Sequence, residues 1–405
     1  MSQIHQDSIA DIVFQLKWQS QGVAHSELYH ASEVNIWRDW LPKSFTDALL
    51  GKSTGSQIHF SYGPGELLPE REPKKEFRIK NRQFDHQRFS DIEIQPREGR
   101  FYPKGLLKDL ANVFRANITP FRCVSVKNGC IDVDFNHPLA GKELTISATV
   151  GNIGEKFSER GGASMDWFSA LTEGPGMQTR WKNQPTDFFS DNPFERDDEF
   201  PDQMFYEKPR WVHHLDDTAR EAVRHIHARF LKDDMEVLDL MSSWVTHLPE
   251  NIRLSRLSGL GMNEEELKKN PALSDFNVHD LNENPEVPFS TASFDGVICT
   301  ASVEYLKRPL YVFTEVARVL KPGGVFVVTF SDRWFPPKAI RIWKNLHEYE
   351  RVGLVLEYFH SSGAFEELQT YSVRGLPRPR NDKYFPEMRY SDPIHGVWGR
   401  KSLSA

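Results

Sequence analysis

The stretch from Asp280 to Phe330 changes hydrophobic period twice, and those changes define its elements. Phe294 to Cys299 is a short apolar run with Asp295 near its start, the pattern of a buried strand. Leu306, Leu310, Phe313, Ala317 and Leu320 then recur at helical spacing, which predicts an amphipathic helix with that face inward. Lys321-Pro322-Gly323-Gly324 stops the helix, because proline cannot continue it and paired glycine tolerates positive φ. Val325 to Phe330 is a second apolar strand. Strand, helix and strand in that order make a right-handed crossover unit of a parallel sheet.

The same reading extends in both directions. Leu215, Ala219, Val223, Ile226 and Phe230 predict a helix, followed by strands at Val237 to Leu240, Arg256 to Met262 and Phe276 to Leu281. Past Phe330, SDRWFPPKAIRIW is a loop into a helix carrying Ile340, Trp343, Leu346 and Tyr349. FEELQTYSV and DPIHGVWGR read as two closing strands, the final one antiparallel. Toward the N-terminus, residues 11–18 alternate like a half-buried strand, and 41–62 read as a short helix, a glycine turn and a strand. Residues 121–150 give two or three alternating strands. Residues 154–205 are rich in Gly, Pro, Asn and Asp with aromatic residues at no fixed period. They contain too much Trp and Phe for a disordered linker and predict an irregular connector, or lid, packed on the C-terminal part. The chain thus divides into 1–153, 154–205 and 206–405.

Its 405 residues suit two or three domains, and 39% hydrophobic content suits real cores. The net charge of −7 argues against a general nucleic-acid binder, since no broad basic surface is available for phosphates. Cys123, Cys130 and Cys299 lack the spacing of a zinc knuckle or a disulfide framework. The polar N-terminus and the lack of a long apolar run lead us to expect a soluble, cytoplasmic protein that does not enter a membrane. His213, His214, Asp216 and Asp217 crowd a helix entry, where capping and solvation are the usual roles, so no metal is expected.

The joined phrases "HDLNENPEVPFSTASFDGV" and "EVARVLKPGGVFVV" resemble the central part of class I S-adenosylmethionine-dependent methyltransferases, type 11-like, and weaker similarity runs over residues 206–405. The resemblance implies an α/β Rossmann-like domain with a seven-stranded mixed sheet and S-adenosyl-L-methionine as cofactor. It places Asp239, Met241, Ser242 and Ser243 at the turn facing the cofactor's methionine end, where the family has glycines. Asp280, with Leu281 and Asn282, matches the adenine-side acid and its pocket, and Thr300 and Ser302 lie at the end of the fourth strand. The family's ribose-binding carboxylate falls on Gly261, with Asn263 nearby as a ribose contact, a helix cap, or both. Glu304 and Tyr305 are either substrate-facing groups or ordinary helix-start residues. If the reaction needs a base, Glu304, His213, His214 and His247 are the candidates.

DFNHPLAGK (Asp134 to Lys142) and LPKSFTDALLGKSTGSQI resemble the SlyD-like branch of FKBP-type peptidyl-prolyl isomerases, over residues 8–153. That similarity implies a β-rich α+β domain and a proline-containing peptide as partner. Trp18, Trp37, Trp40, Phe60 and Tyr62 could wall the apolar pocket such chemistry needs, or could be the core of a small β-domain. The expected activity is methyl transfer to an unidentified small-molecule or protein acceptor. The alternatives are a methyltransferase-like binding module without catalysis, and isomerase or chaperone activity of the N-terminal part.

Overall fold

The computed structural model describes residues 2–88, 93–155 and 163–403. The alternating N-terminal pattern folds as two long strands, β1 (Ser8–Ser20) and β2 (Val23–Asn35), followed by α1 (Lys43–Leu49) and β3 (Gln57–Tyr62). Four short strands follow: β4 (Glu76–Lys80), β5 (Phe101–Pro103), β6 (Pro120–Lys127) and β7 (Cys130–Asp134). They form a small antiparallel sheet of their own, in the order β4-β7-β6-β5. β8 (Leu144–Glu155) returns to pair with β1 and β3. The alternating stretch 121–150 therefore feeds two sheets.

The connector contains two short helices, α2 (Trp167–Thr172) and α3 (Asp202–Tyr206). The C-terminal part runs α4 (Asp217–His227), β9 (Glu236–Leu240), β10 (Arg256–Gly261), α5 (Glu264–Lys269), β11 (Asp275–Val278) and β12 (Phe294–Thr300). It continues with α6 (Pro309–Val319), β13 (Leu320–Ser331), α7 (Arg341–Lys344), α8 (Glu348–Ser362), β14 (Phe365–Arg374) and β15 (Ile394–Lys401). β11, β10, β9, β12 and β13 are parallel neighbours, and β15 enters antiparallel between β13 and β14. This is the Rossmann-like arrangement expected of residues 206–405.

The C-terminal part supplies the seven strands expected of it, but the sheet does not end there. β14 pairs in parallel with β2, so the order continues through β2, β1, β8 and β3 to eleven strands. No periodicity in one strand announces its neighbour across 345 residues of chain, which is why this seam was not legible.

Three segments meet at that seam on one carboxylate. Glu27 of β2 is buried, accepts from Tyr349 Oη of α8 at 2.8 Å, and accepts from Gln178 of the connector at 3.4 Å. Burial pushes its carboxyl up from the ordinary glutamate value. Beside it, His25 bridges Ser20 Oγ and Thr370 Oγ1, each at 2.7 Å, and stacks on Trp18.

Two details of the sequence reading change. Leu310 is half-exposed, because α6 starts at Pro309 and its inward face is set by Val312, Phe313 and Val316. The third strand stops at Val278 rather than Leu281, because Asp280 Oδ1 captures the N–H groups of Asn282 and Glu283 and turns the chain.

The connector packs on the C-terminal part through buried groups. Phe188 joins the core beside α8, and Arg180 makes a two-pronged pair with Glu357 at 2.7 and 2.6 Å. Lys338, fully buried, reaches Asp202 at 3.1 Å, and Arg196 reaches the same carboxylate at 2.9 Å.

Candidate functional site

The C-terminal ends of β9, β10, β11 and β12 open on one cavity of about 180 Å³, more than ten times the space one water needs, so it is a ligand-sized site rather than a packing flaw. Asp239, Met241, Ser242, Ser243, Asn263, Asp280, Leu281, Asn282, Thr300 and Ser302 all line it.

The turn after β9 keeps a glycine-like backbone without glycine. Met241 sits at φ 59°, the left-handed region that costs a side-chain-bearing residue about 1–2 kcal/mol. Ser242 N then donates to Leu260 O at 2.7 Å and draws the turn onto β10. Ser242 Oγ and Thr246 Oγ1 both donate to Asp239 Oδ2 at 2.6 Å. Burial pushes the Asp239 carboxyl up to about 6, against the lowering by those two hydroxyls.

Because the turn lies so close, a Cβ at Gly261 would stand 2.2 Å from Ser242 O. A ribose-binding carboxylate therefore has no room at this position, which accounts for the glycine in physical terms. Asn263 does not fill the gap. Its Oδ1 caps α5 by accepting from Glu266 N at 3.0 Å, and its Nδ2 donates to Tyr206 O at 2.8 Å and Glu207 O at 3.0 Å. Asn282 is likewise committed, donating to Asp202 Oδ2 at 2.8 Å and Tyr305 O at 2.9 Å and accepting from Lys307 N. Asp280 uses Oδ1 for its turn, and its Oδ2 makes no hydrogen bond among the described residues.

Glu304 is withdrawn from the cavity wall. It is fully buried, and neither carboxylate oxygen has a hydrogen-bond partner among the described residues. Burial raises its carboxyl to about 8, so it is a neutral acid at pH 7. A raised folded value means stability present at low pH is lost as pH climbs from the unfolded value through about 8. Glu304→Gln, which cannot ionise, is expected to melt progressively higher than the parent chain as pH rises through that window, by an amount on the order of a few kcal/mol at its top. Thermal melts at pH 5 and pH 8.5 check this, and an equal difference at both would contradict it.

Tyr305 does line the cavity, with its Oη accepting from Phe335 N at 2.9 Å. His213, His214 and His247 line it as well. Burial lowers all three, His247 to about 3, which leaves His247 a poor base. Asp216 caps α4 through Ala219 N, Asp217 pairs with Arg220, His213 stacks on Trp244, and His214 meets Phe335. These four residues therefore do not converge as metal ligands, and no such group occurs among the described residues.

Several wall residues were missed. Asp202 arrives from the connector and Tyr206 from just past it, and Arg210, Arg220, Trp244, Glu266 and Phe335 also line the cavity. The aromatic residues of 154–210 were the available signal, but nothing in their spacing said where they would land. At the N-terminal end, Trp18 is buried against His25, Phe60 and Tyr62 stack on each other, and Trp37 and Trp40 are exposed. Among the described residues no helix is long and apolar enough to cross a membrane.

Residues 253–328 match the profile of the family described as "Methyltransferase domain". The matched residues run from just before β10 to the middle of β13, so they carry three of the four strand ends at the cavity. A stretch of 125 residues is 41% identical to the biotin biosynthesis bifunctional protein BioHC of Teredinibacter turnerae, covering 31% of this chain and 21% of that protein. Among solved structures, a methyltransferase from Aquifex aeolicus is 18% identical, with 49% of this chain and 97% of that one covered at a TM-score of 0.31. One from Mesorhizobium loti is 18% identical, with 45% and 96% covered at a TM-score of 0.31. The [4+2]-cyclase SpnF is 17% identical, with 50% and 91% covered at a TM-score of 0.34.

Proposed function

We propose that the methyltransferase domain binds S-adenosyl-L-methionine in this cavity and transfers its methyl group to a small-molecule or protein acceptor. The observation that carries the reading is the free Oδ2 of Asp280 beside Leu281, at the strand end where an adenine amine would be read. The residues fit the group at that end and depart from the family pattern at the ribose, where Gly261 replaces an acid. When bound, the cofactor supplies an electrophilic methyl on a sulfonium, so alignment can provide much of the rate. The chain's part is to hold and enclose: Asp280 at one end, the Met241–Ser243 turn along the middle, and Tyr206, Tyr305 and Phe335 as an apolar wall that excludes water. Hydrogen–deuterium exchange of the full chain with S-adenosylhomocysteine tests the placement. Protection over 239–247 and 279–284 is expected, and protection confined elsewhere would remove the assignment.

A second reading, a binding module without catalysis, is favoured by the carbonyl of Ser242 occupying the space of the ribose acid. It predicts ligand binding without turnover. We also propose residues 1–153 as an FKBP/SlyD-like accessory domain that meets proline-containing peptides, supported by β1, β2, β3 and β8 packed on α1 through Phe45. Acceleration of a proline-limited refolding reaction by the full chain is the expected sign, and no acceleration would count against it.

A further inference from the structure

The first helix of the connector packs on the N-terminal part. There Phe14 of β1, Phe45 of α1 and Phe60 of β3 form an aromatic cluster, the rings of Phe45 and Phe60 standing 4.8 Å apart. Phe168 of α2 enters that cluster almost fully buried. Its ring is edge-on to Phe45 at 5.1 Å, to Phe14 at 6.0 Å and to Trp40 at 6.2 Å. Trp167 goes in beside it, against Tyr29.

The backbone that leads into α2 docks on one ledge of chain, Arg38 to Trp40. Trp40 N donates to Met165 O at 2.8 Å, and Trp40 and Asp166 form a parallel bridge. Met165 N at 3.3 Å and Trp167 Nε1 at 2.8 Å both donate to the Asp39 carboxylate, and Ser164 Oγ donates to Arg38 O at 3.0 Å. Residues 163–166 are nevertheless exposed, as is Trp40, so the segment lies in a groove at the surface rather than threading the domain. A short extended run paired along a backbone edge, with an aromatic anchor in an apolar pocket, is how many domains hold a peptide.

We propose that this groove is the peptide site of the N-terminal part and that residues 163–172 fill it in cis, so that an incoming peptide must displace Phe168. The inference rests on reading residues 1–153 as a domain that meets proline-containing peptides. Phe168 occupies the place of a partner's apolar side chain, in a cluster that includes Trp40 and Phe60, two of the aromatic walls the sequence offers. Met177, just past α2, is anchored beside Phe101 and Tyr349, so the segment stays tethered when it lets go. A tether of this kind holds its segment at an effective concentration on the order of millimolar, which a free peptide at micromolar levels does not match. The groove is therefore closed for most of the time in the resting chain.

A fluorescein-labelled peptide of residues 163–173, titrated by anisotropy into the full chain and into Phe168→Ala, tests the occupancy without reference to isomerisation. Phe168→Ala is expected to bind it at least about tenfold more tightly than the parent chain, and a peptide carrying the same substitution is expected to bind neither. A Phe168→Ala chain that melts cooperatively and ignores the unsubstituted peptide would overturn the proposal. A proline-limited refolding reaction then separates the two readings. Acceleration by Phe168→Ala about tenfold above that by the parent upholds both. Peptide binding without acceleration by either chain upholds the cis occupant and sinks the isomerase, whereas equal acceleration by both chains overturns the occupant and leaves the isomerase standing. Should Phe168→Ala fail to fold, hydrogen–deuterium exchange of the parent chain decides. Amides of 166–172 exchanging together well before those of β1 and β8 uphold a detachable segment, and exchange in step with those strands would overturn it.

Discussion

A Gly261→Asp chain, which would carry the acid that methyltransferase resemblance calls for, is expected to lose about 3 kcal/mol or more of stability and to gain no cofactor affinity. The reason is the 2.2 Å approach of a Cβ to Ser242 O, which no side chain can relieve because the obstacle is backbone. Ser242 N is tied to Leu260 O at 2.7 Å, and Ser242 Oγ and Thr246 Oγ1 are tied to Asp239, so moving the turn breaks several bonds at once. Urea unfolding measures the loss. A variant as stable as the parent that binds S-adenosylhomocysteine more tightly would show that the turn yields, and that the glycine is an accident of sequence.

Residues 206–405 produced alone are expected to aggregate, although they contain the whole methyltransferase-type sheet. Removing the N-terminal part strips β2 from β14 and leaves the edge from Gln369 to Arg374 unpaired. It also takes Leu28 from beside Val373, which is buried in the full chain, and Glu27 from Tyr349. Exposed apolar edges are templates for pairing with other copies. Size-exclusion chromatography of fragment and full chain decides the matter. A monodisperse fragment with the melting temperature of the full chain would mean that the seam is a docking contact of little energy. Cofactor binding is for the same reason best measured on the full chain.

How far the sequence could be read depended on whether a feature was local. The strand–helix–strand unit around β12, α6 and β13 was legible because burial imposes a period on neighbouring residues and Lys321–Gly324 carries its own stop chemistry. The place of Asp280 on the cavity wall was legible because it follows a strand at short range. The seam between β2 and β14 was not, since pairing partners far apart in sequence leave no mark on each other's alternation. Nor was the withdrawal of Glu304, which depends on what Ile340 and Arg351 bring over it from later in the chain. Asn263 could be read as cap or ribose ligand from its position alone; only Tyr206 and Glu207, arriving from the end of α3 far earlier in the chain, show how its amide is spent. Gly261 marked a departure from pattern in the sequence, and its cause became visible once Met241 was seen to adopt the left-handed backbone that brings Ser242 O against β10.

The proposed function puts S-adenosyl-L-methionine in this cavity with Asp280 at its adenine end. Calorimetric titration of S-adenosylhomocysteine into the full chain and into Asp280→Ala tests it most directly. A saturable heat in the parent chain, weakened about tenfold or more in a variant that melts at the parent temperature, is the predicted result. No heat at millimolar ligand, or an affinity that Asp280→Ala leaves untouched, would contradict it.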